Sequence, residues 1–294
     1  MARVMTRDFQ IGFKVKGLIA PEKEIVFNNH LLIRRIPSSD DAHVFFKVTI
    51  QNHKEIEKEI NKLAMDCENT LRNIVQIYGL VTRLHAEVLP TQYVAAISPL
   101  RAFGQAFTPD VRVVRRLKEV SRKKIIPLLE KTIEKHDSVQ KIFENRSKSY
   151  LRNAISYFHH ALGGNRYEEK LIDLMIALES LFSKEVQELR LRLSLRAAFL
   201  LSIGEEDKRS EIFTTVSDLY NKRSRIVHGT ERVDLSYEEI SRLESYVQES
   251  IKRLIHVEQR KDRFLELLDQ AVYDENKRQE LRELVSNSLS HWET

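Results

Sequence analysis

The spacing of apolar residues changes once along this chain of 294 residues, and the change separates a β-rich beginning from a helical remainder. In the first part, apolar and polar residues alternate, as they do around Phe9, Ile11 and Phe13, which is typical of half-buried β-strands. The predicted elements are strands at 9–15, 24–27, 31–36, 44–50 and 93–97 and one long helix at 53–78. We therefore expect a β-rich α+β domain over residues 1–110.

Beyond Pro109 the apolar residues recur every three to four positions, which predicts one helix after another. The chain has only 8 Gly and 6 Pro, so few residues interrupt long regular elements. Leu189 to Leu195 alternate with polar residues like a strand, but Leu, Arg and Ala favour a helix and β-branched residues are absent there. The predicted helices span 111–135, 138–161, 167–183, 187–202, 207–228, 236–258 and 262–289, the last with a candidate break near Tyr273. Residues 111–294 are thus predicted to form an all-helical domain.

The composition excludes some classes of function and leaves others open. The formal net charge of +5 permits association with a polyanion such as RNA, but ordinary scatter of surface charge explains it equally well. Cys67 is the only cysteine, so neither an intramolecular disulfide nor a thiolate cluster for a metal can form. No apolar run reaches the roughly 18 residues of a membrane span, and the N-terminus lacks a signal-peptide pattern. We expect a cytoplasmic protein with no membrane segment, metal or cofactor.

One predicted helix carries a charge on what should be its core face. When residues 211–229 are projected at about 100° per residue, the apolar side chains fall on one stripe and Arg223 lies within it. The stripe consists of Ile212, Val216, Leu219, Tyr220, Ile226 and Val227. An unpaired guanidinium in apolar surroundings costs several kcal/mol, so Arg223 needs a carboxylate partner, a solvated cleft or a bound anion. A structural ion pair and a functional site both satisfy this need.

The same helix is predicted to end in a histidine. His228 precedes Gly229, a residue suited to ending a helix in the left-handed conformation, so His228 is expected in the last turn. Ser224 lies four residues earlier and is therefore a neighbour of His228 on the helix surface. A surface or capping histidine and a catalytic histidine are both compatible with this position.

The segment from Asp218 to Gly229 resembles the signature of HEPN domains, in which an arginine, a usually polar residue and a short spacer precede a histidine. In this chain the signature runs from Arg223 to His228, and the polar residue is Ser224. Members of the family often carry Asn, Asp or His at that place. The position of the signature at the end of a predicted helix strengthens the resemblance.

Two upstream segments, 170–182 and 193–201, look like helices of the same domain in its ApeA-like branch, which is associated with defence against phage. The resemblance covers about residues 140–260 and leaves a C-terminal helical extension. It implies a metal-independent endoribonuclease of a prokaryotic defence or toxin type. The enzyme would act as a homodimer in which the two signature helices meet in one cleft. The N-terminal domain would then sense a trigger or restrain the nuclease.

The resemblance assigns the chemistry to two residues. His228 would move protons, because a histidine side chain can take or give a proton near neutral pH. Arg223 would hold the scissile phosphate with its planar, permanently charged fork. The nucleophile would be the 2'-hydroxyl of the RNA, which leaves a 2',3'-cyclic phosphate and a 5'-hydroxyl and excludes DNA as a substrate. Ser224 would orient His228 or bind a phosphate oxygen, unless it is a plain exposed helix residue.

Other side chains are candidates for supporting roles. Glu179 lies at the margin of the apolar face of its own predicted helix and could pair with Arg223, or be a solvated glutamate. The cations expected to follow an RNA backbone are Lys222, Arg225 and Arg232 beside the signature and Arg192 and Arg196 on an earlier helix. Each of these could equally be ordinary exposed charge. A HEPN module that binds RNA or a nucleotide without cleaving it, and a helical dimerisation or adaptor protein, are the open alternatives.

Overall fold

The computed structural model describes residues 7–16, 18, 25–27, 31–35, 42–50, 56–96, 139, 145–184, 187–229 and 233–293. The chain divides into two compact units, Met1–Asp137 and Ser138–Thr294. The domain boundary predicted near residue 110 and the helix predicted at 111–135 lie outside the described residues.

The described part of the first unit is an antiparallel sheet with a helix packed on it. The strands are β1 (Arg7–Lys16), β2 (Ile25–Phe27), β3 (Leu31–Arg35), β4 (Ala42–Ile50) and β5 (Glu87–Ala96), in the order β2-β3-β4-β1-β5, and the helix is α1 (Ile56–Thr82). The alternation in the sequence buries Ile11, Phe13 and Val15 of β1 in one core. Leu71 and Val75 of α1 belong to the same core. The prediction of an α+β beginning is confirmed.

Strand β5 begins well before the segment 93–97 that was predicted for it. The sequence pattern favoured a start after Pro90, because proline has no N–H to donate to a sheet. However, β5 is an edge strand of the described sheet, and its pairing with β1 shifts register between Phe13 and Val15, opposite the segment that contains Pro90. Edge strands and bulges are the places where a sheet tolerates proline.

The second unit is a helical bundle. Its helices are α2 (Ser149–Gly163), α3 (Tyr167–Phe182), α4 (Leu189–Leu201), α5 (Arg209–His228), α6 (Tyr237–Leu254), α7 (Lys261–Ala271) and α8 (Glu275–Glu293). The stretch of alternating Leu and Arg is helical over 189–201, which confirms the prediction of a helix there rather than a strand. The predicted break near Tyr273 is also confirmed, because it separates α7 from α8. In the part of the chain that the structure describes, no helix combines the length and the apolar character needed to cross a membrane.

Helix α3 supplies much of the core of this unit, because it packs against α2, α4, α5 and α6. Leu171, Leu174 and Leu178 of α3 are fully buried. Burying one leucine stabilises a fold by about 2 kcal/mol, so these neighbours hold α3 firmly along most of its length.

Helix α5 is covered along only part of its apolar stripe. Ile212, Val216 and Leu219 are buried, whereas Val227 near the end of the helix is 52% exposed. The apolar stripe was predicted to face the core. This prediction is confirmed for the first half of α5 and wrong at Val227. The last turns of α5 lie at the surface of this unit.

The C-terminal extension is attached to the bundle by helix packing and by charged contacts. Helices α7 and α8 pack on each other, and α7 also contacts α4. The guanidinium of Arg196 on α4 donates to both carboxylate oxygens of Asp269 on α7, at 2.8 and 2.7 Å. Arg282 of α8 donates to Glu206 at 3.0 Å. Bidentate arginine-carboxylate pairs fix orientation, so α7 has a defined place on the bundle.

Candidate active site

Helix α5 ends where the sequence predicted. Gly229 follows His228 with φ 63° and ψ 23°, the left-handed conformation that glycine adopts without steric cost. Its amide donates to the carbonyl of Ile226 at 3.2 Å and closes the last turn. His228 is the last helical residue and is exposed to solvent.

Arg223 lies beside Glu179 of α3, as the sequence allowed. The Nη2 atom of Arg223 is 3.9 Å from the Oε1 atom of Glu179, and the two side chains are 23% and 21% exposed. This distance is too long for a hydrogen bond. Among the described residues, the Nε atom of Arg223 and the Oε1 atom of Glu179 are both buried without a hydrogen-bond partner. Such an unsatisfied group costs about 1–3 kcal/mol, so this pair is not an optimised structural ion pair.

The surroundings of Glu179 disfavour its charge. Burial raises the pKa of Glu179, and the nearby guanidinium of Arg223 lowers it by a smaller amount. Tyr220, one turn before Arg223 on α5, responds to the same groups. Burial raises the pKa of Tyr220, the carboxylate of Glu179 raises it further, and Arg223 opposes both. Tyr220, Arg223 and Glu179 thus form one cluster between α3 and α5.

Tyr220 is a member of this cluster that the sequence did not single out for function. The only available signal was its position three residues before Arg223 on the apolar stripe. That signal is weak, because a tyrosine on an apolar stripe usually serves packing. Its phenol adds a hydrogen-bonding group to the cluster, which a phenylalanine would lack.

A single chain does not bring Arg223 and His228 together. Five residues on an α-helix correspond to about 7.5 Å along the axis and roughly 140° around it. Arg223 therefore faces α3, whereas His228 points to another side of α5. Among the described residues, the imidazole of His228 makes neither a hydrogen bond nor an ion pair. Ser224 is half-buried one turn before His228, at a spacing that makes the two side chains neighbours.

The prediction that Arg196 contacts RNA is wrong for this structure. Its side chain is 2% exposed, which makes it the largest fully buried side chain of the described residues. Besides Asp269, the guanidinium donates to the carbonyl of Phe182 at 2.6 Å. A run of alternating Leu and Arg does not reveal which arginine of a helix faces the core.

The other side chains predicted to contact RNA differ in their exposure and in their ion pairs. Lys222 donates to Glu239 at 2.6 Å and to the carbonyl of Asp234 at 2.9 Å, so it links α5 to the start of α6. Arg192 is half-exposed, 3.4 Å from Glu188 and 3.9 Å from Asp269. Arg225 is exposed near the end of α5. Arg232 lies outside the described residues.

Three apolar side chains are exposed in the last turn of α5 and at the starts of α4 and α6. Asn221 accepts a hydrogen bond from Arg190 at 2.9 Å, which places the start of α4 beside the end of α5. Leu191, next along α4, and Val227 are both exposed, as is Tyr237 at the start of α6. We call these three residues the apolar end patch. Exposed apolar residues mark an interaction surface where they form one contiguous patch.

No group of three or more His, Cys, Asp or Glu side chains in the described ranges is arranged to hold a metal ion. Comparisons of the chain with protein-family models, with curated proteins and with solved structures found no match. The HEPN resemblance therefore rests on the residues of the chain itself.

Proposed function

We propose that this protein is a metal-independent endoribonuclease of HEPN type. The observation that carries the proposal is the state of Arg223. Its side chain is 23% exposed and lies beside a carboxylate without hydrogen-bonding to it, on a helix that ends in an exposed histidine. A guanidinium in that state retains donors for a phosphate, whereas a fully paired one such as Arg196 does not.

The chemistry follows from the two side chains. The 2'-hydroxyl of the RNA attacks the adjacent phosphorus while its proton passes to a base, and the bond to the 5'-oxygen of the next nucleotide breaks as that oxygen takes up a proton from an acid. His228 moves a proton in this exchange, because imidazole can act as a base or as an acid near neutral pH. Arg223 stabilises the charge that builds on the equatorial phosphate oxygens. The products are a 2',3'-cyclic phosphate and a 5'-hydroxyl.

We further propose that the enzyme acts as a homodimer. Arg223 and His228 point to different sides of α5, so a second signature helix is needed to place several of these groups around one phosphate. The exposed Val227 of the apolar end patch, one residue before His228, supports this arrangement, because exposed apolar residues gain most from burial at an interface. Val227 would lie near the centre of the contact, one residue before His228.

The remaining residues take supporting roles in this proposal. Glu179 orients Arg223 from α3, and Ser224 orients His228 or binds a phosphate oxygen. Arg225 is the best candidate for contacting the RNA backbone, because it is exposed beside the signature. Lys222 links α5 to the start of α6 through its bonds to Asp234 and Glu239, which leaves it less available to RNA than Arg225.

The resemblance to the ApeA-like branch supports a role in antiphage defence or a toxin system of a prokaryotic cytoplasm. The α+β unit would then sense a trigger or restrain the nuclease. A nuclease that acts on cellular RNA has to be held inactive until it is needed. Toxicity on expression that is relieved by His228→Ala is the expected sign of such a role.

The test is cleavage of a mixed single-stranded RNA in EDTA by the wild-type protein and by Arg223→Ala and His228→Ala. We expect cleavage to cyclic phosphate ends by the wild type and a loss of at least about a hundredfold in each variant, because acid-base and charge-stabilising groups typically contribute that much. Arg225→Ala is the matched control on the same helix, and we expect weaker RNA binding with retained cleavage. Cleavage that survives in both site variants would contradict the proposal.

One observation favours a second candidate, a HEPN module that binds RNA or a nucleotide without cleaving it. The Arg223 guanidinium is already near a carboxylate and lies away from His228 within one chain. If the wild type cleaves no RNA but binds it, and Arg223→Ala weakens that binding, the binding module is the better account. An adaptor protein would show neither cleavage nor binding.

A further inference from the structure

The last turn of α3, which carries Glu179, ends without a glycine. Ser183 follows the helix in an extended conformation, and its amide donates to the carbonyl of Glu179 at 2.9 Å. The other carbonyls at this end need donors from elsewhere, because the last four carbonyls of an α-helix have no partner within it. The direction of the Glu179 side chain depends on how these carbonyls are held.

Two cations supply the missing donors. The Nζ atom of Lys261, the first residue of α7, lies 2.8 Å from the carbonyl of Ser180 and 2.6 Å from that of Ser183. The Nη1 atom of Arg196 lies 2.6 Å from the carbonyl of Phe182. Positive charge at the C-terminal end of a helix also interacts favourably with the helix dipole. The backbone around Glu179 is thus held by side chains of α4 and α7.

The position of Lys261 is itself well defined. Lys261 and Asp269 belong to the same helix, α7, and the Asp269 carboxylate accepts two hydrogen bonds from Arg196. Arg196 also donates to the carbonyl of Phe182 at the end of α3. On another side, the ammonium of Lys261 lies 5.5 Å from the centre of the Tyr150 ring. An ammonium over an aromatic face is attracted by the ring quadrupole, which adds a third direction of restraint.

We propose that Lys261 is a positioning residue of the candidate site. By holding the last turn of α3, it fixes Glu179 and therefore the direction of the Arg223 guanidinium. This inference deepens the proposed function and rests on it for its effect on cleavage. Lys261 does not touch RNA in this account, so its loss should change turnover and leave substrate binding nearly unchanged.

Lys184 offers a matched comparison. Its Nζ atom lies 3.7 Å from Glu266, so it also joins the end of α3 to α7. This pair is largely exposed, and among the described residues Lys184 donates to no carbonyl of α3. An exposed pair of this kind contributes little to stability. Lys184→Met therefore removes a lysine from the same junction without releasing the turn that carries Glu179.

The first readout does not require activity. Solvent exchange of the Arg223 Nε–H is measured by NMR on the full-length protein labelled with ¹⁵N-arginine, with Arg223→Lys used to assign the signal. The Nε atom is buried, so we expect Lys261→Met to accelerate its exchange by about tenfold through local opening. Lys261→Arg, which keeps a cationic donor, and Lys184→Met should stay within about twofold of the wild type.

The second readout is steady-state cleavage of RNA. We expect Lys261→Met to lower kcat by about tenfold with KM within about twofold, and Lys261→Arg to restore most of kcat. Unchanged exchange in Lys261→Met, or an equal change in Lys184→Met, would overturn the inference. If the wild type cleaves no RNA, the proposed function fails while the exchange measurement still decides the role of Lys261. If Lys261→Met does not fold, Lys261→Gln is measured in the same two ways.

Discussion

At the scale of single residues, Glu179 shows how the candidate site affects stability. Burial raises its pKa, and Arg223 opposes the rise without cancelling it. A carboxyl whose pKa is higher in the folded state stabilises the fold most below its unfolded pKa, and that contribution is lost as the pH rises through the folded pKa. Ionised Glu179 is therefore a net cost to stability at neutral pH. Charged residues that are buried at a cost to stability in this way are often found at functional sites.

We predict that Glu179→Gln does not lower the free energy of unfolding at pH 7 and raises it if the amide packs without strain. The reason is that the substitution removes a charge that burial disfavours. The difference from the wild type should vanish below about pH 4, where the wild-type carboxyl is protonated in both states. Cleavage should fall by about tenfold, because the guanidinium of Arg223 loses its orienting charge. Urea unfolding at the two pH values and an RNA cleavage assay check these outcomes.

Glu244→Gln is the control for this prediction. Glu244 accepts a hydrogen bond from the buried Lys170 at 2.9 Å, so it forms a short ion pair between α6 and α3. Breaking a buried pair leaves an uncompensated charge, and we expect a loss of about 3 kcal/mol in the free energy of unfolding. Equal destabilisation by Glu179→Gln and Glu244→Gln would mean that the Glu179 pair is structural.

The sequence predicted the residues of the candidate site but not their surroundings. Arg223 stood out because a charge on an apolar stripe is costly, and His228 because a helix end followed it. The sequence could not give the 3.9 Å gap between Arg223 and Glu179, since that distance depends on how α3 and α5 pack. The burial of Arg196 was missed for the same reason: its partner Asp269 is 73 residues away along the chain.

At the scale of elements, the end of α5 depends on one glycine. Gly229 has φ 63°, and the space around a Cβ atom at this position is open within 4 Å among the described residues. An alanine would therefore meet no clash and would pay only for the left-handed backbone conformation. Because His228 is the preceding residue, any fraying of this turn changes its position directly.

We predict that Gly229→Ala lowers the free energy of unfolding by about 1 kcal/mol and reduces cleavage by about tenfold or more. Gly204→Ala is the matched control, because Gly204 also has a positive φ, 83°, with open space around it, but lies far along the chain from the signature. It should cost a similar free energy and leave cleavage within about twofold of the wild type. Thermal unfolding and RNA cleavage of both variants separate an effect on the end of α5 from a general loss of stability. Equal losses of cleavage would rule out a special role for the end of α5.

The helices and strands themselves were largely predictable from the sequence. The period of two and the period of 3.6 fixed the type of nearly every described element, because burial of one face requires that periodicity. The start of β5 was missed, since the tolerance of a sheet for Pro90 depends on its edge position and bulge, which are tertiary properties. The exposure of Val227 was missed because projection shows where a face points and not what covers it.

At the scale of the whole molecule, the proposed homodimer places Val227 in a contact between two copies. We predict that Val227→Glu raises the dimer dissociation constant by about thirtyfold or more, which corresponds to the roughly 2 kcal/mol of an important interface residue. Cleavage should fall in parallel at low protein concentration and recover in part at high concentration. Tyr273→Glu is the control, because Tyr273 is 76% exposed at the turn between α7 and α8. Sedimentation equilibrium and cleavage at several concentrations check both variants, and a monomeric wild type that cleaves RNA would contradict the dimer.

The measurement that tests the central claim most directly uses one short RNA that the wild type cuts in EDTA and the same oligonucleotide with a 2'-deoxy nucleotide on the 5' side of the cut. The account predicts that the RNA yields a 2',3'-cyclic phosphate and a 5'-hydroxyl and that the deoxy substitution abolishes cleavage at that bond. In the proposed mechanism, His228 and Arg223 only assist a nucleophile that the substrate provides. Cleavage of the deoxy oligonucleotide at an unchanged rate, or products with a 3'-hydroxyl and a 5'-phosphate, would contradict it.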